Sequence, residues 1–163
     1  MEKLGTNYGG WYIPKNITLN ADSIVYSGGV GEDISFDLLL SDKYDCNIVL
    51  IDPTKRAITH YDEVQKYYKT KQWKFAGDIQ RDYNKHIGNL HPNFNKISYL
   101  DEGLWREKTK LKFYKQTNPT YVSQSLKKEM FGTDFYEVDV DSIKNIMKEN
   151  NHSKIDLLKL DIE

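Results

Sequence analysis

Cysteine is almost missing from this sequence. Cys46 is the only one among 163 residues, so no disulfide can form within the chain, and a reducing compartment is favoured. An imbalance of charge is missing as well. Lys and Arg number 23 against 24 Asp and Glu, which removes the electrostatic case for nucleic acid or an anionic membrane as partner. The N-terminus has no apolar signal region, and no run reaches the length of a membrane span. A cytoplasmic protein with one domain is expected, and the sequons at Asn16 and Asn151 are read as accidental. Neither His86 nor His91 has a partner at metal-ligand spacing, so no metal site is expected.

What is present is organised around Ser23-Ile24-Val25-Tyr26-Ser27-Gly28-Gly29-Val30-Gly31-Glu32-Asp33. A short β-branched and aromatic run breaks into three glycines, after which Ile34, Leu38 and Leu39 recur at helical spacing. Strand, tight glycine turn and helix open a βαβ unit, with a ligand expected at the carboxyl end of the strand. A pyrophosphate turn reads G-x-G-x-x-G, and here Ile34 stands in place of the third glycine. Glu32 and Asp33 are expected to open the helix, where a phosphate needs its positive end. The turn holds no Lys or Arg. It therefore suits a nucleoside without phosphates that carries positive charge, as S-adenosylmethionine does, or it is a structural turn only.

Residues 1–22 form an arm or short hairpin with Trp11 as its anchor, and residues 23–163 the domain. Asn47 to Ile51 is a strand buried on both faces, with Cys46 included in it. It ends in Asp52, which lies near the offset at which an acid binds ribose hydroxyls. Asp52 can also be a helix N-cap, with Pro53 at the first helical position and Ala57, Ile58, Tyr61 and Val64 on the inner face. A helix is expected around Asp78 to Ile87. Ile97 to Leu100 is the third strand; Gly103, Leu104 and Trp105 follow it, where Leu104 or Trp105 can cover an adenine. Leu111 to Tyr114 forms a hairpin with that stretch, and Tyr121 to Ser125 is a polar loop. Tyr136 to Val140 alternates like a half-exposed strand, and Asp141 or Ser142 caps a helix over Ile143 to Glu149. The last segment, Lys154 to Glu163, reads as a buried strand. Asp161 and Glu163 point to one side of its end, where they can hold an amine, orient an acceptor or abstract a proton, or stand in solvent.

Gly10-Trp11, Ile13-Pro14, Tyr26 to Asp37, Asp52-Pro53-Thr54, Gly103-Leu104-Trp105 and Ile155 to Glu163 resemble, in this order, the FkbM family of methyltransferases. The resemblance implies an α/β fold with a Rossmann-like, doubly wound, mostly parallel sheet, its first strand central between the second and third on one side and the fourth on the other, and S-adenosyl-L-methionine as cofactor. It implies methyl transfer to a hydroxyl oxygen of a sugar or natural product. Ser27, Gly28, Gly29 and Gly31 would form the methionine-side motif, Asp52 the ribose acid, and Gly103 and Leu104 part of the cofactor site. Asp161, with Glu163, would stand beside the transferred methyl. The family continues past the segment matching Asp161 to Glu163 with a glycine and three more strands; this sequence stops at Glu163, which implies a domain incomplete on that side. Two other readings stay open: a nicotinamide-dependent oxidoreductase on the same sheet, and a non-catalytic half-domain that pairs with a partner or with itself through the fourth strand.

Overall fold

The computed structural model describes residues 1–114 and 134–162. It is a mixed α/β structure with a central four-stranded sheet, all of whose strands are parallel. An N-terminal hairpin pairs β1 (Glu2–Leu4) with β2 (Trp11–Ile13). Then follow β3 (Ile24–Gly28), α1 (Ser35–Tyr44), β4 (Asn47–Ile51), α2 (Lys55–Thr70), α3 (Tyr83–Ile87) and β5 (Ile97–Leu100). After these come β6 (Gly103–Leu104), β7 (Thr109–Tyr114), β8 (Phe135–Asp141), α4 (Ile143–Glu149) and β9 (Leu157–Leu160). The central order is β5-β4-β3-β9. The first strand of the βαβ unit thus lies between the second and the last of the four, the order that the resemblance implies. No helix among the described residues is long and apolar enough to cross a membrane.

Alternation sorts the strand residues into two cores. Val25, Ile48, Leu50 and Ile97 face α1, α2 and α3 with Leu38, Leu40, Val64, Tyr83 and Ile87. Tyr26, Val49 and Ile51 face the opposite way, against Ile146 of α4 and Leu104 of β6. Continuous apolar runs in β3 and β4 are what a sheet covered on both faces requires. Helix α2 presents Ala57, His60, Tyr61, Val64 and Tyr67 inward; Ala57, Tyr61 and Val64 lie on the face that the sequence repeat marks, whereas Ile58 is only half-buried.

Several expectations need correction. Trp11 is not the hairpin's sole anchor: it is 36% exposed and reaches the domain at Lys159, while Leu4, Thr6 and Ile13 are buried. Cys46 is buried but precedes β4. The helix expected from Asp78 begins only at Tyr83. Thr54 caps α2 by accepting from the Ala57 N–H, so Pro53 is outside the helix and Asp52 is left for another task. Ser142 caps α4 through the Asn145 N–H. Strand β7 does not form a hairpin with the stretch before its charged turn: it runs antiparallel to β8, which also takes β6 in parallel. The loop from Tyr121 to Ser125 lies outside the described residues, as does Glu163.

The largest correction concerns β9. Leu158, Leu160 and Ile162 are 44%, 40% and 51% exposed, whereas Lys159 is buried at 7%. A period of two governs this, and the face that looked wrong for a core is the one packed beneath α1. The outer edge of β9 has no strand beside it among the described residues. An open edge with an apolar stripe is a template for pairing with another chain. The protein is expected to self-associate through it, with a sedimentation coefficient that rises with concentration and falls back in a Leu158→Lys/Leu160→Lys variant. A wild-type monomer at all concentrations would rule this edge out as an interface.

Candidate functional site

Gly28, Asp52 and Asp161 meet because β3, β4 and β9 are neighbours in parallel register. Gly28 pairs with Ile51 on one side and Leu160 on the other, so the residues just beyond those ends converge. Backbone bonds extend the ladder into the turn: Gly29 N–H donates to Ile51 C=O at 2.9 Å, and Asp161 N–H donates to Gly28 C=O at 2.9 Å. Gly29 has φ +70° and Gly31 φ +55°, a region that costs little only without a Cβ.

Asp52 holds the turn. Its Oδ2 accepts from the N–H of Val30 and from that of Gly31, both at 3.0 Å, and its Oδ1 accepts from Thr54 N–H at 2.8 Å. The residue is 5% exposed, and the Tyr99 hydroxyl fixes its backbone by donating to Asp52 C=O at 2.7 Å. Successive N–H groups of a glycine turn make a concave anion site, and this turn receives an anion from its own chain.

The carboxylates that were expected to open the helix are spent internally. Helix α1 begins at Ser35. Asp33 accepts from the Thr6 hydroxyl, the Ser35 hydroxyl and the Ser35 N–H, which ties the N-terminal hairpin to the turn. Glu32 pairs with Arg56 of α2. Two cations therefore serve a turn whose own sequence contains none: Arg56 on Glu32, and Lys159, whose Nζ donates to Gly29 C=O at 2.7 Å. Sequence reasoning missed Thr6, Arg56 and Lys159 as supports of the turn. The only available signal was the single lysine inside an apolar strand.

The remaining candidates fall into place around this centre. Ser27 is fully buried on the α1 side, away from the mouth of the turn and level with Lys159 in the register. Leu104 comes so close to Gly28 that a Cβ there would stand 2.7 Å from Leu104 Cδ1 and 3.0 Å from Leu160 Cδ2. Gly103 pairs with Val140 and Leu104 with Asp141, so β6 delivers Leu104 to the turn from the other sheet. Trp105 is 39% exposed and the Asp161 side chain is exposed. No cluster among the described residues could hold a metal ion. His86 stands 3.4 Å from Asp82, and His91 is a surface group near Asp42.

Two buried groups behind the turn titrate in opposite senses. Burial pushes the Asp37 carboxyl up to about 6, against the opposing influences of the Lys159 charge and the Ser27 hydroxyl. Burial drives the His60 imidazole down to about 4, where its Nε2 stands 2.8 Å from the Tyr83 hydroxyl. Between pH 4 and 6 native Asp37 keeps a proton that the unfolded chain has lost, so its contribution to stability falls as pH rises. Native His60 stays neutral where the unfolded chain would bind a proton, so its contribution rises with pH over nearly the same window. Each shift corresponds to about 3 kcal/mol. Relative to wild type, Asp37→Asn is expected to steepen the gain in stability with pH, and His60→Gln to turn it toward a loss. Denaturant titrations at pH 4, 5 and 6 check this; three parallel profiles would show that neither group is perturbed.

The arrangement has a definite chemical bias. The turn's donors at Val30 and Gly31 are already engaged, and the side chains left at the strand ends are carboxylates. Among the described residues Asp52 Oδ1 accepts one bond, from Thr54 N–H, where a carboxylate oxygen can accept two, and Asp161 faces solvent. A ligand here would have to donate hydrogen bonds or bring positive charge. No family model, curated protein or solved structure matches this chain.

Proposed function

We propose that the chain is the Rossmann-like core of a class I methyltransferase that uses S-adenosyl-L-methionine and transfers its methyl group to a hydroxyl oxygen of a saccharide or other small-molecule acceptor. The observation that carries the reading is the filling of the glycine turn by Asp52. A pyrophosphate would compete with a built-in carboxylate for the Val30 and Gly31 N–H groups, and it would meet Asp161 as a like charge. This weighs against a nicotinamide dinucleotide. A ribose diol, an ammonium and a sulfonium, by contrast, all suit acceptor-only carboxylates.

In this reading Asp52 Oδ1 accepts from the ribose hydroxyls, and Leu104 lies alongside the nucleoside. Asp161, just past the end of β9 and next to the turn, orients the acceptor or takes up its proton. The cofactor supplies an electrophilic methyl group; the acceptor oxygen forms the new bond, the sulfur keeps the electron pair of the old one, and the hydroxyl proton leaves to a carboxylate or water. Alignment of acceptor and sulfonium is the larger share of what the protein can contribute.

Calorimetry tests the reading. S-adenosylmethionine and S-adenosylhomocysteine are expected to bind while NADH does not; binding of NADH alone would replace it with the oxidoreductase. Asp161→Asn is expected to leave S-adenosylhomocysteine affinity within about threefold while methyl transfer collapses, since orientation acts on the chemical step. A second reading, a non-catalytic half-domain, draws on the open apolar edge of β9, and saturable cofactor binding by the protein would remove it.

A further inference from the structure

Lys159 occupies a position that stability alone does not explain. It is 7% exposed on a strand whose neighbouring leucines point to solvent. Burying an ammonium costs several kcal/mol unless it is well paired, and an apolar side chain of similar size is often as stable or better. Segments from four parts of the chain nevertheless converge on this one group. Gly29 supplies the carbonyl at 2.7 Å. Helix α1 supplies Asp37, 2% exposed, whose titration feels the Lys159 charge. Strand β3 places Ser27 beside it in register, and β2 brings the Trp11 ring to 5.6 Å from Nζ.

The acceptor matters more than the burial. Gly29 C=O and Val30 N–H belong to a single planar peptide, and in a trans unit they point in opposite directions. Lys159 holds the oxygen end at 2.7 Å and Asp52 Oδ2 holds the nitrogen end at 3.0 Å. One peptide is gripped from both sides by charges of opposite sign, each matched to the end it touches.

We propose that Lys159 is a positioning residue which, together with Asp52, clamps the Gly29–Val30 peptide and so fixes the glycine turn in its ligand-binding conformation. Asp37 supplies the countercharge that allows the ammonium to be buried, and Trp11 covers it from the hairpin. The turn is then organised before any ligand arrives, so binding does not have to order it. The clamp stands on geometry alone; its effect on ligand affinity rests on the methyltransferase reading above.

The test is hydrogen exchange at the Val30 amide, read by NMR against a core amide such as Leu50. In Lys159→Met the Val30 amide is expected to exchange about tenfold faster or more with Leu50 unchanged, as local opening of the turn requires. Lys159→Arg, which still donates, is expected to restore most of the protection. Asp52→Asn is expected to accelerate Val30 as well, and its combination with Lys159→Met to add less than the two changes separately, because both residues hold one peptide. If Lys159→Met folds poorly because Asp37 is left without its countercharge, Asp37→Asn/Lys159→Met removes the orphan carboxylate and gives the same reading. Val30 protection within about twofold of wild type in these variants would overturn the proposal. S-adenosylhomocysteine affinity is measured alongside, with a loss of about tenfold expected in Lys159→Met. Absence of binding by the wild type would reject the methyltransferase reading and leave the exchange result to decide the clamp.

Discussion

Gly29→Ala is expected to be the most damaging single change at the strand ends, lowering stability by about 3–4 kcal/mol. Two independent effects add. The backbone is at φ +70°, which a residue with a Cβ adopts at a cost of about 1–2 kcal/mol. The new Cβ would also stand 2.0 Å from Asp161 C=O, and that atom is main chain that cannot rotate away. To relieve the contact β9 has to move off β3, which breaks the Asp161 N–H bond to Gly28 C=O and drags Lys159 from the Gly29 carbonyl. Chemical denaturation provides the check. A loss below about 1 kcal/mol would mean that the turn and the end of β9 are not in contact in solution.

Asp52→Ala comes next, with an expected loss of about 3 kcal/mol in stability and at least about tenfold in S-adenosylhomocysteine affinity. The substitution leaves three backbone N–H groups, those of Val30, Gly31 and Thr54, without their acceptor. Buried donors that lose a charged partner cost more than the bond itself contributed. Gly31 is half-buried and water can reach it in part, which keeps the total below the sum for three sealed donors. Asp52→Asn is expected to fall between wild type and alanine, since one amide oxygen can still accept while its NH2 faces donors. Stability and affinity are separate readings here. A variant that loses stability but binds the nucleoside equally well would make Asp52 a support for the turn and not a ribose ligand.

Much of the frame was legible because it depends on local patterns. The run Ile24 to Tyr26 read as a strand and Asn47 to Ile51 as one covered on both faces, and the spacing of Ala57, Ile58, Tyr61 and Val64 read as one side of a helix. Asp141 and Ser142 announced the start of α4, of which Ser142 is the cap, and the alternation from Tyr136 to Val140 announced β8. Pairing between distant segments was not legible. Strand β7 joined β8 instead of folding back across the turn before it, because a six-residue strand matches any partner of similar length and only the rest of the fold excludes the others. Asp161 could be assigned to a strand end from its period of two, whereas its contact with the turn depended on β9 lying beside β3.

The sequence by itself determined the parallel sheet, the glycine turn at the end of its central strand and the carboxylates at the ends of the neighbours. Those follow from hydrophobic period, from glycine's freedom at positive φ and from chain order, all properties of contiguous residues. Only the tertiary structure decided how the charges are spent. Asp33 went to Thr6, Glu32 to Arg56, Asp52 to the amides of the turn and Lys159 to the Gly29 carbonyl. Those four partnerships span between 21 and 130 residues of chain. Nothing local favours one partner over another at that range; burial does, because a charge removed from water must take whichever opposite charge or dipole the packed elements bring within reach.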